Sequence, residues 1–177
     1  MHIVRKAEIF ASAAHAAVGQ VRKYTGEPYI VHPREVAAMV ASFGGDDAMI
    51  AAAWLHDVVE DTEVTLDEVR YYFGDDVADL VYWLTDVSKP EDGNRATRKE
   101  MDRQHTAQAP GRAQTVKCCD LISNTQSIAE HDKDFARVYL VEKHKLLDVL
   151  HRADPNALAA ARAMAQKARE MVDGSDS

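Results

Sequence analysis

Apolar residues recur every three or four positions along most of this chain, and alanine is abundant in the same windows. An α-helix needs that period to present a continuous apolar face, and alanine is the strongest helix former. The alternation of apolar and polar residues that marks a half-buried strand is rare. The pattern therefore predicts an all-α fold.

Turn residues divide the first part of the chain into helices. The first helix is predicted over about 4–21, ending in a polar turn. Its expected buried stripe consists of Ile9, Phe10, Ala13, Ala14, Ala17 and Val18. Pro33 suits the first position of a second helix, which Gly44 and Gly45 end.

A third helix is predicted from Asp46 or Asp47 to Asp61, and its acidic end conflicts with the negative pole of a helix C-terminus. Thr65 and Glu68 have the spacing of a capping box, which predicts a short helix starting there. The remaining predicted elements are helices over about 77–84, 97–105, 113–128, 133–151 and 155–172, with a loop at 88–96. We expect residues 174–177 to fray.

The charge balance excludes several kinds of partner. The formal net charge of -8 repels nucleic acid and anionic membrane surfaces. No apolar run approaches the roughly 20 residues that cross a bilayer, and the N-terminal residues do not resemble a signal peptide. A cytoplasmic location is therefore expected, with homo-oligomerisation left open.

Cys118 and Cys119 are adjacent and are interpreted as buried thiols in a reducing compartment.

An imidazole and a carboxylate stand side by side in an apolar segment. His56 and Asp57 lie within residues 51–59, where an uncompensated charge would be costly. A hydrogen-bonded structural pair is one interpretation of these two residues. A metal site is the other, and it requires further ligands.

Two more potential ligands stand elsewhere in the chain. His32 precedes a predicted helix, and Asp120 lies in the middle of an apolar one. Two imidazoles and two carboxylates suit a divalent cation, with coordination positions left for water and a phosphate oxygen. Alternatively, His32 bonds to the backbone, and Asp120 pairs with Lys117 or Arg112.

Further polar residues follow at helical spacing. Glu60 and Asp61 come four residues after His56 and Asp57, so on a helix they project from the same side. Carboxylates there could manage an attacking water, although a solvated helix end is common. Asn124 follows Asp120 by four residues and could donate to a substrate or only bridge helices.

Arg22 and Lys23 close the first predicted helix before the turn that leads to His32. Their positive charge suits a phosphate group despite the acidic whole. Cations at a helix C-terminus are also ordinary capping residues.

Several of these segments together resemble the hydrolase domain of the RelA/SpoT alarmone enzymes. The segments are QVRKYTGEPYIVHP at Gln20 to Pro33, LHDVVEDT at Leu55 to Thr62, FGDDV at Phe73 to Val77, TD at Thr85–Asp86 and KCCDLISNTQSI at Lys117 to Ile128. They span roughly residues 5–150. The stretch TRKEMDRQH at Thr97 to His105 is more similar to the small stand-alone hydrolases.

The length of 177 residues fits a single domain over 1–177. The resemblance implies that this domain is of the HD type, a helical bundle of about eight to ten helices. It implies removal of pyrophosphate from the 3′ position of ppGpp or pppGpp, usually with Mn²⁺. The implied metal ligands are His32, His56, Asp57 and Asp120. The implied roles elsewhere are water handling by Glu60 and Asp61, guanine packing by Arg22, phosphate contact by Lys23 and nucleoside contact by Asn124.

The chain departs from the family pattern in the turn between Arg22 and Gly26, where one residue is added. Cys118, Cys119 and Leu121 also replace the residue types that the family usually has. The changed turn bears on which nucleotide is the substrate. Two alternatives stay open: hydrolysis of another nucleotide, such as the 2′ phosphate of NADPH, or a sensor that binds a nucleotide without catalysis. The Glu60–Asp61 pair argues against a pure sensor.

Overall fold

A computed structural model of the protein describes residues 1–174, and its regular structure there is helical apart from one isolated β-bridge. The all-α prediction is confirmed. The predicted fraying of 174–177 concerns, apart from Gly174, residues that lie outside the described range. Over that range, no helix has the length and hydropathy needed to span a membrane.

The chain forms two compact units that meet in sequence between Asp86 and Val87. The first unit contains α1 (Ile3–Ala17), α2 (Val31–Ser42), α3 (Asp47–Leu55), α4 (Val58–Asp61), α5 (Leu66–Phe73) and α6 (Asp75–Leu84). Helix α3 packs against α1, α2 and α6, and six of its nine residues are buried. Its C-terminal end therefore carries His56 into the interior of this unit. The sequence prediction of a single domain stays a prediction.

The predicted stripe of α1 was wrong. Ala7, Ala11 and His15 are its buried residues, whereas Ile9 and Val18 are exposed. Residues four apart lie on one face of a helix, and small side chains there let α1 approach α3 closely. The helix also ends at Ala17 instead of Val21, because Gly19 adopts a left-handed φ of 64° that opens a turn.

The predicted third helix is interrupted at His56 and Asp57, which separate α3 from α4. Asp57 has φ -102° and ψ -4°, outside the range of regular helix. The imidazole Nδ1 of His56 bonds to the carbonyl oxygen of Ala53 at 2.6 Å. That carbonyl is the one an uninterrupted helix would offer to the Asp57 amide, so the side chain competes with the helical backbone.

Local capping signals in the sequence were correct. Thr65 and Glu68 form a reciprocal capping box at the start of α5. Asp46 accepts a hydrogen bond from the Met49 amide at the start of α3. These bonds satisfy amides that a helix N-terminus leaves without intrahelical acceptors, so they depend on nearby residues alone.

The second unit begins at Val87. It contains a 3-10 turn (Pro90–Asp92), α7 (Arg95–Gln108), α8 (Gly111–His131), α9 (Lys133–Leu147) and α10 (Pro155–Asp173). Helix α8 packs against α9 and α10. The carboxylate of Asp102 accepts hydrogen bonds from the amides of Val87 and Ser88 and from the Ser88 hydroxyl. These bonds attach the start of the predicted loop at 88–96 to α7. Helix α7 is longer than the predicted 97–105, and α9 ends at Leu147 instead of the predicted His151.

Gln114 is a fully buried polar residue in α8. Its Nε2 donates to the carbonyl of Thr106 at 3.1 Å, and its Oε1 accepts from the amide of Arg152 at 2.9 Å. One side chain therefore joins α8 to the end of α7 and to the turn after α9. These bonds also satisfy both ends of the buried Gln114 amide, which would be costly to bury without partners.

Gly111→Ala should destabilise the protein by about 1–3 kcal/mol. A Cβ at Gly111 would lie 2.4 Å from the backbone oxygen of Arg152, so one of the two segments must shift. Gly174→Ala is the matched control, because a Cβ there meets nothing within 4 Å. Urea unfolding of both variants measures the difference, and equal free energies of unfolding would contradict the expected clash.

Both cysteines should react slowly with thiol reagents in the folded protein. Cys118 and Cys119 have no exposed surface, and burial raises the pKa of each thiol to about 12. The thiolate is the reactive form, so almost none is present at pH 8. Iodoacetamide labelling followed by mass spectrometry should show protection that denaturant removes, and rapid labelling of the native protein would contradict this prediction.

Candidate metal centre

Three potential metal ligands converge in the first unit. The Nε2 atoms of His32 and His56 are 3.2 Å apart. Asp57 Oδ2 lies 3.0 Å from His56 Nε2 and 3.7 Å from His32 Nε2. One donor atom from each residue lies within 4.8 Å of the others. Both histidines are buried, and 17% of the Asp57 side chain is exposed, so the cluster has an opening to solvent.

The orientation of His56 suits metal binding. Its Nδ1 donates to the Ala53 carbonyl, which assigns the ring hydrogen to Nδ1. The Nε2 atom then has a free lone pair that can bind a metal ion. A backbone carbonyl that accepts from the second ring nitrogen is one of the usual ways in which a protein orients a metal-binding histidine. Two imidazole nitrogens and a carboxylate oxygen in this arrangement can hold a divalent metal ion.

Tyr29 is a residue at this centre that the sequence analysis missed. Its hydroxyl donates to Asp57 Oδ2 at 2.5 Å, the same oxygen that faces the histidines. Its ring lies with its centroid 5.9 Å from that of His32. Tyr29 stands within the motif QVRKYTGEPYIVHP, so the resemblance was the available signal, but no local pattern links it to Asp57.

Glu60 and Asp61 lie in α4, just after the interruption. Glu60 Oε1 accepts a hydrogen bond from the Asp86 amide at 2.5 Å. Asp61 Oδ2 accepts one from Gln20 Nε2 at 3.0 Å. Asp61 is an exposed residue, but partial loss of solvation at its carboxyl raises the pKa of that group, and the bond from Gln20 opposes part of the rise. Asp61 is therefore a better proton acceptor than a fully solvated aspartate.

Arg22 and Lys23 lie in the turn after α1, where Val21 and Pro28 form an antiparallel bridge. The Arg22 guanidinium lies 3.4 Å from both carboxylate oxygens of Glu35, and only 13% of its side chain is exposed. Lys23 is exposed, with its ammonium 5.1 Å from the Tyr24 ring centroid. The longer turn thus closes on itself, with the Gly26 amide bonded to the Arg22 carbonyl.

Asp120 and Asn124 belong to α8 in the second unit. Asp120 is buried, and its Oδ2 lies 2.9 Å from the Lys117 ammonium. Its Oδ1 accepts from Asn124 Nδ2 at 2.8 Å. The pairing with Lys117 that the sequence analysis considered is therefore present. The roles of Asp120 as a metal ligand and of Asn124 as a nucleoside contact stay predictions.

A family model described as an HD domain matches residues 7–170. The chain belongs to the HD domain family. HD domains are metal-dependent, and the cluster of His32, His56 and Asp57 is consistent with that property. The HD assignment made from sequence motifs is confirmed.

This HD protein is similar to parts of longer proteins. It is 46% identical over 87 residues to a Synechocystis protein named a probable guanosine-3′,5′-bis(diphosphate) 3′-pyrophosphohydrolase, a match covering 49% of this chain and 11% of that protein. An Aquifex aeolicus protein named guanosine-3′,5′-bis(diphosphate) 3′-pyrophosphohydrolase is 43% identical over 86 residues, with 49% and 12% covered. The matches therefore span about a tenth of the length of these curated relatives.

One solved structure covers nearly the whole HD chain. It is described as a metazoan ortholog of SpoT that hydrolyses ppGpp. The two share 25% sequence identity and a TM-score of 0.83, and the match covers 94% of this chain and 96% of the other. The HD fold thus occurs in that protein at nearly the same length.

Proposed function

We propose that this protein is a metal-dependent (p)ppGpp 3′-pyrophosphohydrolase, which converts ppGpp to GDP and pppGpp to GTP with release of pyrophosphate. The convergence of His32, His56 and Asp57 beside two further carboxylates carries the proposal. The names of the relatives and the solved structure of similar length support this substrate class.

Mn²⁺ is the proposed ion, held by His32, His56 and Asp57, with Asp120 proposed as the fourth ligand from the family resemblance. When bound, the ion would act as a Lewis acid toward the phosphate and make water a better nucleophile at neutral pH. The charge of Asp57 and Asp120 would balance that of the cation. Tyr29 would keep the Asp57 carboxylate oriented through its hydroxyl.

Asp61 and Glu60 are proposed to move protons during hydrolysis. Water adds to the phosphorus that carries O3′, the bond from phosphorus to O3′ breaks, and pyrophosphate leaves. The Asp61 carboxylate takes a proton from the water, and O3′ receives one from this pair of acids. The raised pKa of Asp61 supports this role.

Arg22, Lys23 and Asn124 are proposed to bind the nucleotide. Arg22 is held by Glu35 with its planar guanidinium largely covered, an arrangement suited to packing against a base. Lys23 is exposed and would contact phosphate as a point charge.

We also propose that the chain is one HD-type domain, because the family model extends through residues of both units.

The decisive experiment incubates the purified full chain with ppGpp and Mn²⁺ and identifies the products by chromatography. GDP and pyrophosphate are expected, and Asp61→Asn should slow their formation while retaining metal. NADPH tested in parallel would release orthophosphate if the protein were a 2′ phosphatase. Tight ppGpp binding without product would instead favour the sensor alternative and overturn the proposal.

A further inference from the structure

A chain of side-chain hydrogen bonds runs from the interior of the first unit to Asp61. His15 lies in the last turn of α1 and is 1% exposed. Its Nδ1 lies 2.8 Å from Gln20 Oε1. Gln20 Nε2 then donates to Asp61 Oδ2 at 3.0 Å. The amide of Gln20 therefore connects a buried imidazole to a proposed acid–base residue.

The chemistry of the three groups sets the direction of these bonds. An ionised carboxylate only accepts, so the donor end of the Gln20 amide must face Asp61. The acceptor end then faces His15, which must carry its hydrogen on Nδ1. Consistently, the buried Nε2 of His15 has no hydrogen-bond partner among residues 1–174, and burial lowers the pKa of this imidazole. A neutral ring with a bare Nε2 satisfies every donor in the chain.

We infer that His15 and Gln20 are positioning residues that hold Asp61 in one orientation, a role that rests on the proposed function. Gln20 bonds to Oδ2 of Asp61, so Oδ1 is the atom that we assign to taking the proton from water. Without this bond, an aspartate at the exposed end of a four-residue helix would sample several rotamers. Misplacement of a reacting group by about 1 Å can reduce a rate a hundredfold.

His15 acts on Asp61 only through its bond to Gln20. If its Nδ1 hydrogen were absent, the Oε1 atom of Gln20 would lose its donor, and the amide would be held only by its bond to Asp61. An amide held at one end moves more freely, so its Nε2 would orient the carboxylate less firmly. The His15 ring also packs against Tyr29 with centroids 4.8 Å apart, so α1 supports the centre from its buried side.

Kinetics of single and double variants test the inference. Gln20→Leu should lower kcat for ppGpp about tenfold to a hundredfold, with KM and bound manganese nearly unchanged. His15→Leu should lower kcat less, and His15→Asn should restore part of it, because an asparagine amide can donate from near the Nδ1 position. In an Asp61→Asn background, Gln20→Leu and His15→Leu should have little further effect.

A matched control removes a similar bond elsewhere. Gln166 Nε2 donates to Glu170 at 2.9 Å on the exposed side of α10, so Gln166→Leu should leave kcat unchanged. Thermal unfolding of each variant separates loss of folding from loss of rate. Because Gln20 lies in a turn and is only partly buried, Gln20→Leu keeps the test valid even if His15→Leu fails to fold.

Nuclear magnetic resonance of the metal-free full chain gives a readout independent of turnover. Long-range ¹H–¹⁵N spectra should show His15 at pH 7 with its hydrogen on Nδ1, and Gln20→Leu should reduce that preference. A hydrogen on Nε2, or additive kinetic effects in the double variants, would overturn the positioning role. Absence of ppGpp hydrolysis by the wild-type protein would instead overturn the proposed function.

Discussion

Replacement of Asp57 by alanine should remove both metal retention and turnover while the chain stays helical and folded. Asp57 offers the carboxylate oxygen that lies 3.0 Å and 3.7 Å from the two imidazole Nε2 atoms. Loss of a residue that merely orients a ligand costs about 10–100-fold in metal affinity or activity, so loss of the ligand itself should cost more. Metal content by mass spectrometry, ppGpp hydrolysis and circular dichroism measure the three quantities.

Asp67→Ala provides the control for Asp57→Ala, because Asp67 is an exposed acid in the first turn of α5. It should keep full metal content and activity. Asp120→Ala is expected to share the losses of Asp57→Ala, as the proposed fourth ligand would. An Asp57→Ala protein that still hydrolyses ppGpp and retains manganese would rule out the assigned centre.

Tyr29→Phe should weaken manganese binding by about 10–100-fold, because Asp57 loses the hydroxyl that bonds to its ligand oxygen. Phenylalanine keeps the ring that packs beside His15 and His32. The change therefore isolates the hydrogen bond from the packing, and folding stability should change little. Titration of the metal-free protein with Mn²⁺, followed by calorimetry, measures the affinity.

Tyr71→Phe is the control for Tyr29→Phe. Tyr71 lies in α5, is 84% exposed and does not belong to the cluster of potential metal ligands. It should bind manganese with wild-type affinity. Equal affinity in the Tyr29→Phe protein would show that Asp57 needs no support from this hydroxyl.

Features that depend on neighbouring residues were predictable from the sequence. Helical periodicity indicated the all-α class, and the capping box of Thr65 and Glu68 and the N-cap at Asp46 formed where expected. The motifs around His32, His56 and Asp57 also indicated the HD family, which the family model confirms. Periodicity and capping rest on bonds between residues at most four apart, so composition and spacing suffice to predict them.

The buried face of α1 and the interruption of the third helix were not predictable in this way. Alanine suits either face of α1, and only its packing against α3 selects Ala7 and Ala11 for the interior. The interruption depends on the bond from His56 to the Ala53 carbonyl, which a helical pattern conceals. In both cases, packing or a side-chain bond outweighs a small local preference.

The sequence by itself determined which chemical groups are available: two imidazoles, the carboxylates near them and a helical scaffold. Only the tertiary structure decided which groups touch, as when Tyr29 meets Asp57 and Gln20 joins His15 to Asp61. Tyr29 and Asp57 are 28 positions apart in the sequence, and Gln20 and Asp61 are 41 positions apart. They come close in space because α1 packs against α3 and α4. No local propensity carries that information, because a hydrogen bond forms only when folding brings donor and acceptor to about 3 Å.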